Sequence, residues 1–170
     1  MARESMEVGV IVERRRLNNP WVDHSWVPVA VLPGAPATPA WTVLDTTPDA
    51  TRFYAGSVSL GFFRSDTSTY RDNLRSGRPS LWVSLREADS PPGVALQSVT
   101  ADPAEGEALT EPGTDIVEQV PMPIEIEARL AAFVEAHHVE RVFFKRKRDR
   151  ADPEALALRP GGRGAGEGGE

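Results

Sequence analysis

Met6, Val8, Val10 and Val12 put an apolar side chain at every second position, alternating with Glu7, Gly9 and Glu13. A period of two belongs to a strand with one buried face, and it predicts a first strand over about 6–16. Val27, Val29 and Val31 repeat the alternation. Pro28 among them has no amide hydrogen to donate, which assigns this strand to a sheet edge or a bulge. Fifteen prolines and 14 glycines punctuate the 170 residues, so turns are frequent and a bundle of long helices is disfavoured.

Pro33, Gly34, Pro36 and Pro39 force a loop before the apolar run Trp41–Leu44. RFYAGSVSLGFF (52–63) reads as a long strand in which Gly56 and Gly61 allow a bend. Thr67–Ser76 is expected as a short helix stopped by Gly77. SLWVSLRE (80–87) and VALQSVTA (94–101) form a strand pair around the turn Pro91-Pro92-Gly93. Residues 102–114, acidic and carrying Pro103, Gly106, Pro112 and Gly113, are expected as a surface loop before a last short strand over 115–120. Ile126, Leu130, Phe133 and Val134 then recur at helical spacing. Pro123 suits the first position of that helix, and Glu125 and Glu127 face its positive dipole end. The fold class that results is α+β, mainly β: an antiparallel sandwich or roll of about seven strands with one C-terminal helix. Residues 6–140 are expected as one domain, and 141–170 as a basic, then glycine-rich, flexible tail.

Charge divides the same way. Residues 1–140 carry 11 basic and 20 acidic side chains, a net of −9, and residues 141–170 carry 8 and 5, a net of +3. The acidic body repels a phosphate backbone, which disfavours nucleic acid as a partner. The run Arg141, Lys145, Arg146, Lys147, Arg148 and Arg150 suits docking on an acidic protein surface. The absence of cysteine removes disulfides, thiolate zinc sites and a cysteine nucleophile. His137 and His138 are neighbours on a helix and point about 100° apart, so they do not ligate one metal together. No metal, cofactor or catalytic residue is expected. No apolar run approaches the length of a membrane span, and the first ten residues lack the core of a signal peptide, which makes the cytoplasm the expected compartment.

The candidate contact residues lie in NNPWVDHSW, where Trp21, Asp23, His24 and Trp26 interleave around a turn before the valine strand. Amphipathic aromatics on a loop beside a rigid sheet suit protein recognition. Arg14, Arg15, Arg16 and Arg52 are the candidates for gripping a phosphate, with a solvated strand exit as the simpler account of the first three.

VGVIVERR (8–15), the segment from Trp21 to Ala35, VPMP (120–123) and FVEAHHVERVFFKRKRDR (133–150) occur in an order that resembles the bacterial domain-of-unknown-function family 3305. The likeness spans about residues 6–150. Genes of that family sit beside those for molybdenum formate dehydrogenase, its iron–sulfur subunit and a redox-enzyme chaperone. The resemblance therefore implies a noncatalytic accessory role in assembling or operating such an enzyme. It also leaves open a molybdopterin-guanine dinucleotide biosynthesis or carrier role. The transferase making that dinucleotide needs a glycine-rich phosphate loop after its first strand. Here Glu13, Arg14, Arg15, Arg16 and Leu17 follow VGVIV instead, with no glycine until Gly34. The implied partners are a formate dehydrogenase subunit or its chaperone.

Overall fold

The computed structural model describes residues 3–139. Seven strands run along the described residues: β1 (Arg3–Arg16), β2 (His24–Leu32), β3 (Thr42–Thr46), β4 (Ala50–Phe63), β5 (Ser80–Glu87), β6 (Val94–Thr100) and β7 (Asp115–Pro121). Three helices accompany them: α1 (Thr67–Arg75), α2 (Pro103–Thr110) and α3 (Ile124–His137). The strands form two antiparallel sheets, ordered β2-β1-β4-β3 and β6-β5-β7. Cα atoms of β6 approach those of β4, and those of β7 approach β2, to within 8 Å. Stacked sheet faces lie about 10 Å apart, so these approaches bring the sheets together along their sides, and one core lies between them. The architecture is α+β and mainly β. Among the described residues, no helix is long and apolar enough to cross a membrane.

The alternation in β1 does what its period requires. Val8, Val10 and Val12 are fully buried, facing a core that also takes in Leu60, Phe62, Leu81, Val83 and Leu85. Each such side chain contributes roughly 1.5–3 kcal/mol of transfer free energy. Pro28 lies on an edge strand, and the register slips beside it, where Ile11 pairs with Ala30 but Val12 with Pro28. A second bulge falls where Val10 pairs with Gly56 and Ile11 with Tyr54. Gly56 there has φ +113°, open to glycine and strained for other residues. Across β5 and β7, Arg86 donates to both carboxylate oxygens of its register partner Asp115, at 2.8 and 3.2 Å.

The segment 102–114, expected as a loop, contains α2, which joins the two helices read from the sequence. Pro103 is harmless in the first turn, where an amide has no helical partner, and the Asp102 carboxylate caps the helix by accepting from the Ala104 N–H at 2.9 Å. Gly106 breaks nothing because it lies directly on the Trp82 indole. Trp82 alternates with Leu81 and Val83, so α2 covers the face of β5 turned away from the core.

Helix α1 is fastened by Asn73, which is 3% exposed. Its side-chain amide donates to the carbonyls of Ser80 (2.8 Å) and Ala101 (2.9 Å), and its oxygen accepts from the Ser80 N–H (3.0 Å). Gly77 follows the helix with φ +84°, the left-handed stop expected of it. At the same end of the molecule, Phe62, Tyr70 and Phe133 pack ring against ring.

Burial pushes the Tyr70 hydroxyl up to about 12 from an ordinary value of 10.0; the Phe63 N–H it accepts acts the other way, and Asp66, Asp102 and Glu105 add to the rise. The unfolded chain therefore loses this proton first. Its stabilising contribution is complete below about pH 10 and disappears as pH climbs toward 12. Tyr70→Phe should move the alkaline unfolding midpoint, followed by circular dichroism, to higher pH. An unchanged midpoint would show that another group governs alkaline unfolding.

Candidate functional site

Strands β1 and β4 are each 14 residues long, and the end where β1 stops carries an aromatic assembly drawn from across the four-stranded sheet. Arg14 on β1 is the register partner of Trp26 on β2, and Val12 is that of Phe53 on β4. Trp41, just before β3, completes the group. Trp26 and Trp41 meet edge to face with centroids 5.5 Å apart, and Phe53 lies 5.6 and 5.9 Å from them. The Arg14 guanidinium stands 5.8 Å from the Trp26 ring and 5.3 Å from the Phe53 ring, distances at which the ring faces attract a cation. His24 meets Trp26 edge-on at 5.6 Å. Trp41 adopts φ 66°, a costly conformation for an aromatic residue, held by its place among these rings and by its N–H donating to the Tyr54 carbonyl.

The loop joining β1 to β2 leaves from the same end of β1. Hydrogen bonds from the Leu17 N–H to the Asp23 carbonyl (2.9 Å) and from the Trp21 N–H to Asn19 Oδ1 (2.9 Å) tie it down. The Arg16 N–H donates to the Asp49 carbonyl at 2.8 Å, joining this end to the turn between β3 and β4. On so restrained a loop Trp21 is 89% exposed, with Val22 and Leu17 also open to solvent. Chain entropy would normally count against an anchor on a loop, and the local hydrogen bonds have already absorbed part of that cost.

The four residues singled out from the sequence therefore divide. Trp21, Asp23 and His24 lie at the surface. Trp26 is buried among Trp41, Phe53 and Arg14, with little of its ring left at the surface. Trp41 and Phe53 complete that group and were not among the expected site residues. The Trp41 signal in the sequence was an aromatic residue ending a proline-rich loop.

The four arginines do not converge. Arg15 and Arg52 both donate to Glu13, at 2.8 and 3.3 Å. The hydrogen bond from Arg15, ahead of that from Arg52, holds the Glu13 carboxyl below the usual carboxylate range, against the burial that raises it. Arg14 is occupied with the rings. Alternation along β1 turns Arg14 and Arg16 to one face and Arg15 to the other. Arg141, Lys145, Arg146, Lys147 and Arg148 lie outside the described residues.

The two adjacent histidines part company as their helical spacing requires. His137 packs on Phe133 with centroids 4.6 Å apart. His138 bridges Thr67 and Arg71, each at 3.1 Å. Among the described residues, no three His, Asp or Glu side chains group so as to hold a metal ion. The aromatic end thus presents an exposed indole on a hydrogen-bonded loop, shortly before the strand that carries buried Trp26.

The chain matches neither a curated protein nor a solved structure. A family described as Protein of unknown function (DUF3305) matches residues 7–148. That span takes in the whole aromatic end, both sheets from Glu7 onward and all three helices, and on it the chain belongs to the DUF3305 family.

Proposed function

We propose that the protein is a noncatalytic interaction module that assists the assembly or operation of a molybdenum-dependent formate dehydrogenase, docking through the loop that carries Trp21. The observation that carries the docking surface is the 89% exposure of an indole on a hydrogen-bonded loop. An exposed tryptophan that contributes little to its own core has most of its apolar area left to bury against a partner. The choice of client, a formate dehydrogenase subunit or its chaperone, rests on the family resemblance, and the proposed compartment is the cytoplasm. A role in making or carrying the molybdenum cofactor gains no support from the arginines, since Arg15 and Arg52 are engaged by Glu13 and Arg14 by aromatic rings.

Affinity purification of the tagged full chain from cells expressing a molybdenum formate dehydrogenase operon should recover an enzyme subunit or its chaperone. Trp21→Ala should leave the circular dichroism spectrum and melting temperature unchanged. It should weaken binding to the recovered partner by about 2 kcal/mol, roughly thirtyfold in Kd. Normal binding by that variant would remove the loop from the interface. Recovery of neither protein would remove the assigned client.

A further inference from the structure

At the other end of β1 and β4, helices α1 and α3 lie side by side and leave a groove of about 320 Å3 between them, lined by Arg71, Leu74, Arg75, Ala131, Val134, Glu135 and His138. Each helix contributes one stripe: positions 71, 74 and 75 on α1, and 131, 134, 135 and 138 along α3 and its cap. Such spacing places a stripe on a single helical face. Leu74 and Val134 form an apolar floor continuous with the core. Ala131 and Arg75 stand exposed at the rim.

The groove is held in shape by a directed set of hydrogen bonds. Arg71 Nη1 can only donate, so His138 Nε2, 3.1 Å away, accepts. The ring proton is then on Nδ1, which donates to Thr67 Oγ1 at 3.1 Å, and that hydroxyl donates onward to the Arg64 carbonyl at 3.3 Å. The cap of α3 is thereby pinned to the first turn of α1, and the distance between the helices is set.

Charge then names the occupant. Arg64, Arg71, Arg75 and Arg78 fall within 15 residues against only Asp66 and Asp72, in a body that is otherwise strongly acidic. Arg71 and Arg75 stand on one wall of the groove and Glu135 is the single carboxylate on the other. We propose that this groove is a second docking site, separate from the Trp21 loop, and that it takes a short acidic amphipathic helix of a partner protein. Its apolar side chain enters over Leu74 and Val134 while its carboxylates meet Arg75 at the exposed rim. Acidic surface elsewhere on the body repels the same segment, so the arginine wall contributes selectivity as well as attraction.

The test uses the full chain and two fluorescein-labelled helical peptides, each with leucine at third and fourth positions, one with glutamate between them and the other with lysine. Fluorescence anisotropy at low salt should show binding of the glutamate peptide and at least about tenfold weaker binding of the lysine peptide. Arg75→Glu and Ala131→Glu, both at exposed positions, should each weaken the glutamate peptide about tenfold or more, and Trp21→Ala should leave it unchanged. Because these variants keep residues 141–170 intact, attraction by the basic run cannot imitate the result. Absence of binding, equal affinity for both peptides, or indifference to both groove variants would overturn the proposal. A concentration-dependent dimer that Arg75→Glu dissociates would also overturn it, by giving the groove to a second copy of the chain.

Discussion

Asn73→Leu should cost the fold about 3–5 kcal/mol, a large share of the total stability of a domain this size. Leucine is close to asparagine in size, so loss of volume is not the cause. Three backbone groups, the N–H and carbonyl of Ser80 and the carbonyl of Ala101, rely on the one amide for hydrogen bonds in a site from which water is excluded. Removing it strands all three. Asn73→Asp should be about as severe, since a carboxylate replaces a double donor facing two carbonyl oxygens. Urea denaturation followed by circular dichroism measures both variants. A loss below about 1 kcal/mol for either would mean that the segment after α1 finds other partners, and the clamp would have to be abandoned as the reason this helix stays on the sheet.

Gly106→Ala should destabilise by about 2–3 kcal/mol although it adds one methyl group to a helix, where alanine is ordinarily the better residue. The added carbon would lie 2.3 Å from Trp82 Cγ and 2.5 Å from Cδ1. Those atoms are the root of a stiff ring, so either α2 must lift from β5 or the indole must leave its rotamer. Pairing the change with Trp82→Ala distinguishes this cause from any intrinsic effect on the helix. The double variant should be more stable than the sum of the two single losses predicts, with a coupling of about 1 kcal/mol or more. Strict additivity in a double-mutant cycle would rule out the steric explanation.

The same glycine shows why α2 was hard to read from the sequence. Pro103 and Gly106 ordinarily interrupt helices, and their weight hid the start signal formed by Asp102, Pro103 and Glu105, a capping carboxylate, a first-turn proline and an acidic first turn. What makes Gly106 acceptable is a tryptophan over 20 residues earlier in the chain, and periodicity within a segment carries no record of such a neighbour. The strands were legible because their burial is local in pattern: the alternation of Val8, Val10 and Val12 states which face turns inward whatever lies opposite. The single proline in β2 likewise announced an irregular edge, and both the edge and the register slip are present. The site was half legible. That Trp21 and Trp26 flank a turn is visible in the sequence, but five positions decide between 89% exposed and buried, and the partners that bury Trp26 come from three other parts of the chain. Nothing in the sequence set Arg71 and Arg75 beside Ala131 and Val134, because that juxtaposition exists only once α1 and α3 are packed.

The pairing of β1 also dictates an order of assembly. Its outer neighbour, β2, follows after a short loop, and the turn from β3 into β4 is shorter still, so two hairpins can close early with little loss of chain entropy. The union of those hairpins is another matter, for Arg3 must find Phe63 and Arg15 must find Ala50. The second sheet repeats the arrangement: β5 meets β6 across a tight turn but waits for β7, where Ser80 pairs with Pro121. Each sheet is thus organised on a strand that acquires its second neighbour late, and a chain with so many distant pairings belongs among the slow folders, on the millisecond-to-second scale. During synthesis the first strand leaves the ribosome with one edge unpaired until the fourth has followed it, and with its apolar face uncovered until Leu81, Val83 and Leu85 arrive. A protein proposed to attend the assembly of another must first get through that exposed interval itself.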